Sequence, residues 1–316
     1  MSASDTPQID ELFDRRLEFP DNVARKRFAR LVGVDEAKDR LTKLMACLVN
    51  PDGPRAWSAK YHSQATTLLD YLERRPPLVV LAGDVGTGKT ELAETIGDAV
   101  ARQESIRVVL YPLSLATRGS GKVGEMTRLL SSAFDAVFDA AKRLQRTDGR
   151  KATGGIILLI DEADALTQSR ESSSMHHEDR AGVNAFIRGV DRLAEQRVPA
   201  AVILSTNRLS AIDPAVRRRA ADVFLFARPD RQQRRAVLAK PLAEVGFSDA
   251  NIDSLVQLTG PADGRKVGFT FSDLTQRLLP TLVLDAYPDR PITIHRALEL
   301  TRELMPTPAF SEELRQ

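Results

Sequence analysis

Apolar residues in the first two thirds of the chain fall into short runs without alternating polar positions. The runs cover residues 78–82, 106–113, 156–160, 201–204 and 223–226. Uninterrupted apolar runs are typical of strands that are buried on both faces of a parallel sheet. Between them, apolar residues recur every three or four positions, as at Leu130, Phe134 and Val137, which is a helical period. The pattern therefore predicts an α/β domain in which helices cover both faces of a parallel sheet.

After residue 228 the pattern changes to helices alone. The predicted helices cover residues 231–244, 249–259, 272–286 and 292–304. Residues 1–24 contain Pro7 and Pro20 and show no sustained periodicity, so they are predicted to be an extension. The predicted organisation is an N-terminal extension (1–24), a large α/β domain (25–228), a smaller all-helical lid domain (229–305) and a C-terminal tail (306–316).

Composition limits the classes of protein to which the chain can belong. Its 316 residues include 45 lysines and arginines against 43 aspartates and glutamates, a net charge of +2. This balance does not support a nucleic-acid or membrane surface. The single cysteine, Cys47, lies in an apolar helical stripe and is predicted to be a core residue. Neither an N-terminal targeting signal nor an apolar run of about 18 residues is visible, which predicts a cytoplasmic protein.

Residues 83–90 match the phosphate-binding pattern G-x-x-x-x-G-K-[ST] between a predicted strand and a predicted helix. Glycine at three of these positions lets backbone N–H groups turn inward around an anion. Lys89 would reach the β and γ phosphates, and the Thr90 hydroxyl would serve Mg²⁺. The segment therefore predicts a P-loop that binds ATP with Mg²⁺. The predicted nucleotide contacts are Asp84, Val85, Gly86, Thr87, Gly88, Lys89, Thr90 and Glu91.

The apolar run 156–160 ends in two acidic residues, Asp161 and Glu162. A buried parallel strand that ends this way places carboxylates at the edge of the sheet beside the P-loop. Asp161 is predicted to hold Mg²⁺ through its water shell, and Glu162 to polarise the attacking water. The alternative is that residues 161–164 only cap a helix.

Two further segments carry candidate catalytic groups. Asn207 follows the run 201–204 and can hydrogen-bond the γ phosphate or the attacking water; the alternative is a residue that caps a turn. Arg217, Arg218 and Arg219 form either a solvated helix end or an arginine finger that stabilises transition-state charge. Arg219 is preferred as the finger and Arg218 comes second. A finger that acts on a neighbour's site requires a closed ring.

The order of these motifs, followed by a helical lid, resembles the AAA+ ATPases over about residues 25–305, which is nearly the whole chain. The resemblance implies an ATPase with a P-loop fold, in which Val32 and Gly33 hold the adenine. It also implies that an arginine of the lid contacts the nucleotide as sensor 2. Arg277 is the candidate, although it fits an exposed helix residue equally well.

Within AAA+, the chain is most similar to the pachytene-checkpoint, thyroid-receptor-interactor type. Residues 120–122 with Met126, residues 183–185 and residues 219–222 carry this similarity. The resemblance implies a homo-oligomer, a hexamer, that remodels HORMA-domain proteins by pulling a peptide through its central pore. It gives no role to nucleic acid or to a membrane.

The resemblance also places two pore-facing loops, at residues 115–121 and 168–179. The first loop departs from the family because residues 116–118, Ala-Thr-Arg, contain no aromatic side chain. A second departure is that no substrate-recognition domain fits before Leu31, which implies that a partner complex presents the substrate. His176 and His177 in the second loop are assigned to a mobile loop in preference to a metal site, because no suitably spaced acid or cysteine accompanies them.

The leading hypothesis is an ATP-driven remodeller of a bacterial HORMA-domain protein in a nucleotide second-messenger antiphage (CBASS) system. The HORMA protein would be bound to a nucleotidyltransferase. One alternative is a nucleic-acid loader or initiator, which would have a basic face. Another is a nucleotide-gated scaffold that barely hydrolyses ATP, which the presence of Glu162 disfavours.

Overall fold

The computed structural model describes residues 12–62, 66–115, 124–146, 151–163, 177–262 and 265–309. The chain divides into two compact units. The first comprises residues 1–29, 36–82 and 90–224, and the second comprises residues 30–35, 83–89 and 225–316. This division departs from the predicted boundary after residue 228, because the segments 30–35 and 83–89 belong to the second unit. The reason is contact over long sequence separations, which local periodicity does not report.

The first unit is built on a six-stranded sheet with the order β1-β3-β4-β5-β2-β6. The strands are β1 (Leu17–Phe19), β2 (Leu78–Gly83), β3 (Arg107–Ser114), β4 (Gly154–Asp161), β5 (Ala200–Thr206) and β6 (Ala220–Phe226). Strands β3, β4, β5 and β2 pair in parallel, whereas β1 runs antiparallel to β3. Every residue of β2 and β5 is buried, which explains the absence of alternation in their sequences. The predicted parallel sheet is confirmed.

Helices cover the sheet on both faces. Phe134 and Phe186, from two different helices, meet edge to face with ring centroids 5.6 Å apart, in the core that contains Leu158 of β4. On the opposite face, Gly155 of β4 lies so close to Val49 that a Cβ at Gly155 would be 2.6 Å from the Val49 Cβ. The helices of this unit are α1 (Asn22–Arg30), α2 (Asp35–Val49), α3 (Gly53–Tyr61), α4 (Thr66–Glu73), α5 (Lys89–Glu104), α6 (Glu125–Leu144), α7 (His177–Glu195) and α8 (Pro214–Arg217).

Cys47 in α2 is half-buried rather than a full core residue, and burial raises the pKa of its thiol. Among the described residues, no helix is long and apolar enough to cross a membrane.

Residues 17–19 of the N-terminal segment form a strand of the sheet and α1 begins at Asn22, which corrects the predicted extension over residues 1–24. Strand β1 pairs with β3 in the register Phe19 to Val108. The Phe19 ring is 3% exposed and packs on Gly97 of α5, where a Cβ would lie 2.4 Å from it. The Asp21 N–H also donates to Asp98 Oδ1 at 2.7 Å. A three-residue strand is too short for a period to appear in the sequence, which is why the prediction missed it.

The second unit is mostly helical, as predicted. Its helices are α9 (Arg231–Glu244), α10 (Asp249–Leu258), α11 (Leu279–Ala286) and α12 (Ile294–Glu303). Capping boxes start α9 at Asp230 and α10 at Ser248, so both predicted starts are confirmed. The predicted helix 272–286 begins as a π-helical turn, Asp273–Leu278, which continues into α11. The hydrophobic core of the second unit contains Leu238, Leu255, Phe269, Leu274 and Leu278.

We expect Phe19→Ala to lower the free energy of unfolding by about 3–5 kcal/mol, because the ring is buried and leaves a cavity against Gly97. Chemical denaturation measures the change. Val23→Ala is the matched control, since Val23 in α1 is 65% exposed and its replacement should change stability by less than about 0.5 kcal/mol. Equal effects of the two substitutions would show that β1 is not part of the folded core.

Candidate active site

The P-loop connects the end of β2 at Gly83 to the start of α5 at Lys89. Gly83 has φ 150°, and a Cβ there would lie 2.0 Å from the carbonyl oxygen of Phe226. Gly86 has φ 72°, and a Cβ there would lie 2.7 Å from Thr270 Oγ1. Both positions therefore require glycine, for conformation and for space. The N-terminus of α5 follows at once, so the loop has the geometry of an anion site.

Lys89 is buried within this loop, with 5% of its surface exposed. Its Nζ donates to the carbonyl oxygens of Gly83 and Asp84, both at 2.8 Å. The Thr87 hydroxyl donates to the same Asp84 carbonyl at 2.8 Å. These bonds hold the ammonium inside the loop, where a phosphate oxygen can replace the carbonyls as its acceptor.

Thr90 and Asp161, the predicted metal pair, are brought together from 71 positions apart. The Thr90 hydroxyl donates to Asp161 Oδ2 at 2.9 Å. Hydroxyl and carboxylate oxygens are hard ligands of the kind that Mg²⁺ prefers. Among the described residues, no group of three or more His, Cys, Asp and Glu side chains could by itself hold a metal ion. One hydroxyl and one carboxylate side by side fit a cation such as Mg²⁺, which keeps several waters and completes its shell with phosphate oxygens.

Glu162 has a strained backbone. Its φ is 53°, in the left-handed region, which costs a non-glycine residue about 1–3 kcal/mol. The Glu162 N–H donates to Asp161 Oδ1 at 2.9 Å, and the Ser114 hydroxyl donates to Glu162 Oε2 at 3.1 Å. Such strain is found most often at functional sites, which favours the catalytic interpretation over a helix cap. Asp164, at the end of the alternative cap, lies outside the described residues.

Asn207 directly follows β5, and the registers place this strand end beside the other two. Ala82 of β2 pairs with Thr206, and Ile160 of β4 pairs with Leu204. The side chain of Thr206 bonds the next turn, since its Oγ1 accepts from the Arg208 N–H at 3.0 Å. Asn207 is half-buried at the edge of the sheet where Asp161 also lies.

The three clustered arginines differ in their contacts. Arg219 forms a two-point ion pair with Asp191 of α7, in which Nε lies 2.6 Å from Oδ1 and Nη2 lies 2.9 Å from Oδ2. Its Nη1 also donates to the Ala215 carbonyl at 3.1 Å. Arg217 and Arg218 are exposed, and within the described ranges their side chains make no hydrogen bond or ion pair. The preference for Arg219 as the finger stays a prediction; its guanidinium is bound to Asp191, whereas the side chains of Arg217 and Arg218 are both exposed.

The residues predicted to surround the base lie in the second unit. Leu31, which precedes Val32, is 3.5 Å from the position of a Gly88 Cβ, so this segment lies against the P-loop. The Gly33 carbonyl accepts from Gln233 Nε2 of α9 at 2.9 Å. Val32 is half-buried and Gly33 is exposed.

Glu91 and Arg277, both predicted nucleotide ligands, have charged partners within the chain. The Glu91 carboxylate is bound by Arg27 of α1, with Nε and Nη2 at 2.8 and 2.6 Å. Within the π-helical turn, Arg277 Nη1 donates to Asp273 Oδ1 at a distance of 2.7 Å. Glu91 therefore faces α1 through its side chain, and any contact with nucleotide would come from its backbone.

Asp273 is a fully buried carboxylate of the second unit. Burial alone raises the pKa of this group, but hydrogen bonds outweigh it and hold the pKa below its ordinary value. The donors are the Thr270 N–H, the Thr307 hydroxyl and N–H, and Arg277. Thr307 lies in the predicted tail 306–316, so that segment is anchored at this point.

The predicted pore loops fall mostly on residues that the structure does not describe. Leu115 is described and is buried after the end of β3. Residues 116–123, which include the segment 120–122, lie outside the described residues, as do residues 164–176 with His176. His177 begins α7.

Comparison with known proteins adds independent evidence to this geometry. Residues 79–228 match the ATPase family associated with various cellular activities (AAA). The chain is 60% identical over 304 residues to CD-NTase-associated protein 6 of Escherichia coli strain MS 115-1, covering 96% of this chain and 97% of the relative. The chain belongs to the AAA ATPase family. This AAA protein is also 36% identical to CD-NTase-associated protein 6 of E. coli strain KTE188, covering 95% and 98% of the two chains.

Solved structures show the same relationship. A chain of the E. coli MS115-1 HORMA:CdnC:Trip13 complex superposes with a TM-score of 0.89 at 58% identity, covering 96% of this AAA protein and 99% of that chain. Rhizobiales Trip13 gives a TM-score of 0.72 at 50% identity, with coverage of 94% and 99%. PCH-2 of C. elegans, at 18% identity and a TM-score of 0.59 over 91% and 72% of the two chains, shares the fold. The predicted AAA+ fold, ATPase activity and pachytene-checkpoint type are confirmed.

We expect Gly86→Ala to weaken nucleotide binding by about tenfold to a hundredfold, because the added methyl meets Thr270 Oγ1 and displaces the loop. Titration with a fluorescent ATP analogue measures the affinity. Gly246→Ala is the matched control. Gly246 also has a left-handed φ, 89°, but a Cβ there meets no atom within 4 Å. Gly246→Ala should lower the stability by about 1 kcal/mol and leave the nucleotide affinity unchanged. A loss of affinity in this control would contradict the explanation that the clash with Thr270 weakens binding.

Proposed function

We propose that this AAA ATPase is a Mg²⁺- and ATP-driven ring, a hexamer, that remodels a HORMA-domain protein or its complex with a nucleotidyltransferase. One observation carries the proposal. The chain matches, over nearly the whole length of both, a chain solved in a complex with HORMA and CdnC, at 58% identity. The proposed setting is a cytoplasmic bacterial CBASS system. The name of the two E. coli relatives, CD-NTase-associated protein 6, supports this setting.

The described residues provide the groups that hydrolysis needs. The P-loop N–H groups and Lys89 bind the phosphates, and Thr90 with Asp161 would hold Mg²⁺, which supplies positive charge to the phosphate oxygens. Glu162 is proposed to accept a proton from the attacking water. Asn207, at the adjacent strand end, is proposed to hold that water or the γ phosphate. We keep Val32, Gly33 and Arg277 as proposed contacts of the base and the phosphates.

The proposed mechanical step takes place in the pore. Residues 115–121 and 168–179 would grip the substrate peptide, with Arg118 and small side chains in place of an aromatic residue. A partner complex would deliver the peptide to the pore.

Purified HORMA and CdnC of E. coli MS115-1 are suitable probes, because a chain from their complex is so similar to this one. We expect HORMA to stimulate ATP turnover, and ATP to dissociate the HORMA:CdnC complex on a size-exclusion column. No stimulation together with no dissociation would contradict the proposal. Turnover stimulated by DNA, with a steep dependence on salt, would instead favour the loader alternative.

We expect Glu162→Gln to bind ATP and to assemble as the wild type does, but to lower turnover by at least about a hundredfold, because the amide cannot accept the proton. Phosphate release and analytical ultracentrifugation measure the two properties. Glu244→Gln, an exposed glutamate near the end of α9, is the control and should behave as the wild type does. Normal complex dissociation by Glu162→Gln would show that the protein is a nucleotide-gated scaffold.

We expect Arg218→Ala to lower kcat by about 10³-fold or more with unchanged nucleotide affinity, because the exposed guanidinium is proposed to reach the neighbour's phosphates. Steady-state turnover above the assembly concentration measures kcat. Asp191→Ala separates the two roles of Arg219, since it removes the ion pair but keeps the arginine. If Arg219→Ala abolishes turnover while Asp191→Ala and Arg218→Ala do not, Arg219 is the finger, as the sequence predicts, and the proposed role of Arg218 is wrong.

A further inference from the structure

The P-loop carries a buried negative charge, the side chain of Asp84. This carboxylate is 6% exposed and lies at the second position of the phosphate-binding pattern. Its Oδ1 accepts from the Val85 N–H at 2.8 Å. A carboxylate at this position repels the phosphates that the loop must bind, and the low local polarity strengthens the repulsion. Some other group must therefore balance its charge before a nucleotide can bind tightly.

Arg228, two residues after the end of β6, is that group. Its Nε lies 2.6 Å from Asp84 Oδ2, and the pair is largely removed from solvent because the arginine side chain is 13% exposed. Removing one partner of such a buried ion pair strongly destabilises the protein, because the other charge stays buried without a counter-charge.

The same guanidinium reaches two further segments. Nη1 donates to the carbonyl of Gly268 and Nη2 to the carbonyl of Thr307, each at 2.8 Å. Thr307 in turn donates to Asp273 through its N–H at 3.0 Å and its hydroxyl at 2.7 Å. A planar guanidinium has donors on three sides, which lets one side chain hold a carboxylate and two backbone carbonyls from three separate segments.

The loop is thus held at two points by residues that are distant in sequence. Arg228 holds Asp84, and the Ser272 N–H donates to the Gly86 carbonyl at 3.1 Å. All of these residues belong to the second compact unit. The first contact neutralises charge, whereas the second fixes only the backbone.

We propose that Arg228 is a positioning residue for ATP hydrolysis, which neutralises Asp84 and holds the first turn of the P-loop open to a triphosphate. The role rests on the ATPase activity and is independent of the proposed HORMA partner. Arg228 does not touch the reacting atoms. It acts through Asp84, and its effect grows with the number of phosphates on the ligand.

The test compares four variants in basal turnover without any partner protein: Arg228→Ala, Arg228→Lys, Asp84→Asn and the double variant Asp84→Asn with Arg228→Ala. We expect Arg228→Ala to raise KM for ATP by about 10- to 100-fold, with kcat changed less than about threefold. Asp84→Asn, alone or in the double variant, should raise KM much less than Arg228→Ala does, because the amide places no negative charge beside the phosphates. Arg228→Lys keeps the charge and should fall between the wild type and Arg228→Ala.

Two further measurements separate this role from a purely structural one. The weakening in Arg228→Ala should be larger for ATP than for ADP and absent for adenosine, by titration calorimetry. The double variant should recover nucleotide affinity but keep the lowered melting temperature, since its bonds to Gly268 and Thr307 are still missing. Arg231, an exposed arginine three residues later, provides the matched control. Arg231→Ala should change neither the nucleotide affinity nor the melting temperature.

Equal KM values in Arg228→Ala and in the double variant, both raised, would overturn the proposal. A KM raised as strongly in Asp84→Asn alone would overturn it too. This second outcome can be measured even if Arg228→Ala does not fold, since Asp84→Asn leaves no unpaired negative charge.

Discussion

The parallel register of β4, β5 and β2 determines where the predicted catalytic and metal-binding residues lie. Parallel strands end at the same edge of a sheet, so the residues that follow each strand become neighbours. Ile160 therefore lies beside Leu204, and Thr206 beside Ala82, although long stretches of chain separate them. The hydrogen bond between Thr90 and Asp161 results directly from this alignment.

Charge balance is the second condition that the site satisfies. The phosphate loop must attract an anion, yet it contains Asp84 and is followed by Glu91. Each of these carboxylates is paired with an arginine from a distant part of the chain, Arg228 and Arg27 respectively. Pairing keeps the positive charge of Lys89 effective at the loop, because nearby unpaired carboxylates would offset it.

The predicted arginine finger and the predicted extension show the limits of local motifs. The triplet 217–219 indicates a cationic end but not which guanidinium is engaged, and Asp191 lies 28 residues upstream of the one it binds. Phe19 gives no periodic signal in a three-residue strand, yet it is buried against α5. Both outcomes depend on contacts between segments that the chain separates widely.

The amino-acid sequence by itself determined the P-loop, the acidic strand end at Asp161, the parallel sheet and the helical second unit. These features follow from short-range rules: glycine at left-handed positions, apolar runs in buried strands, and helical periods. Only the tertiary structure decided that Asp84 is neutralised by Arg228, that Ser114 contacts Glu162, and that Arg219 is engaged while Arg218 is exposed. The physical reason is that an ion pair or a side-chain hydrogen bond acts over a few ångströms of space, irrespective of the distance along the chain.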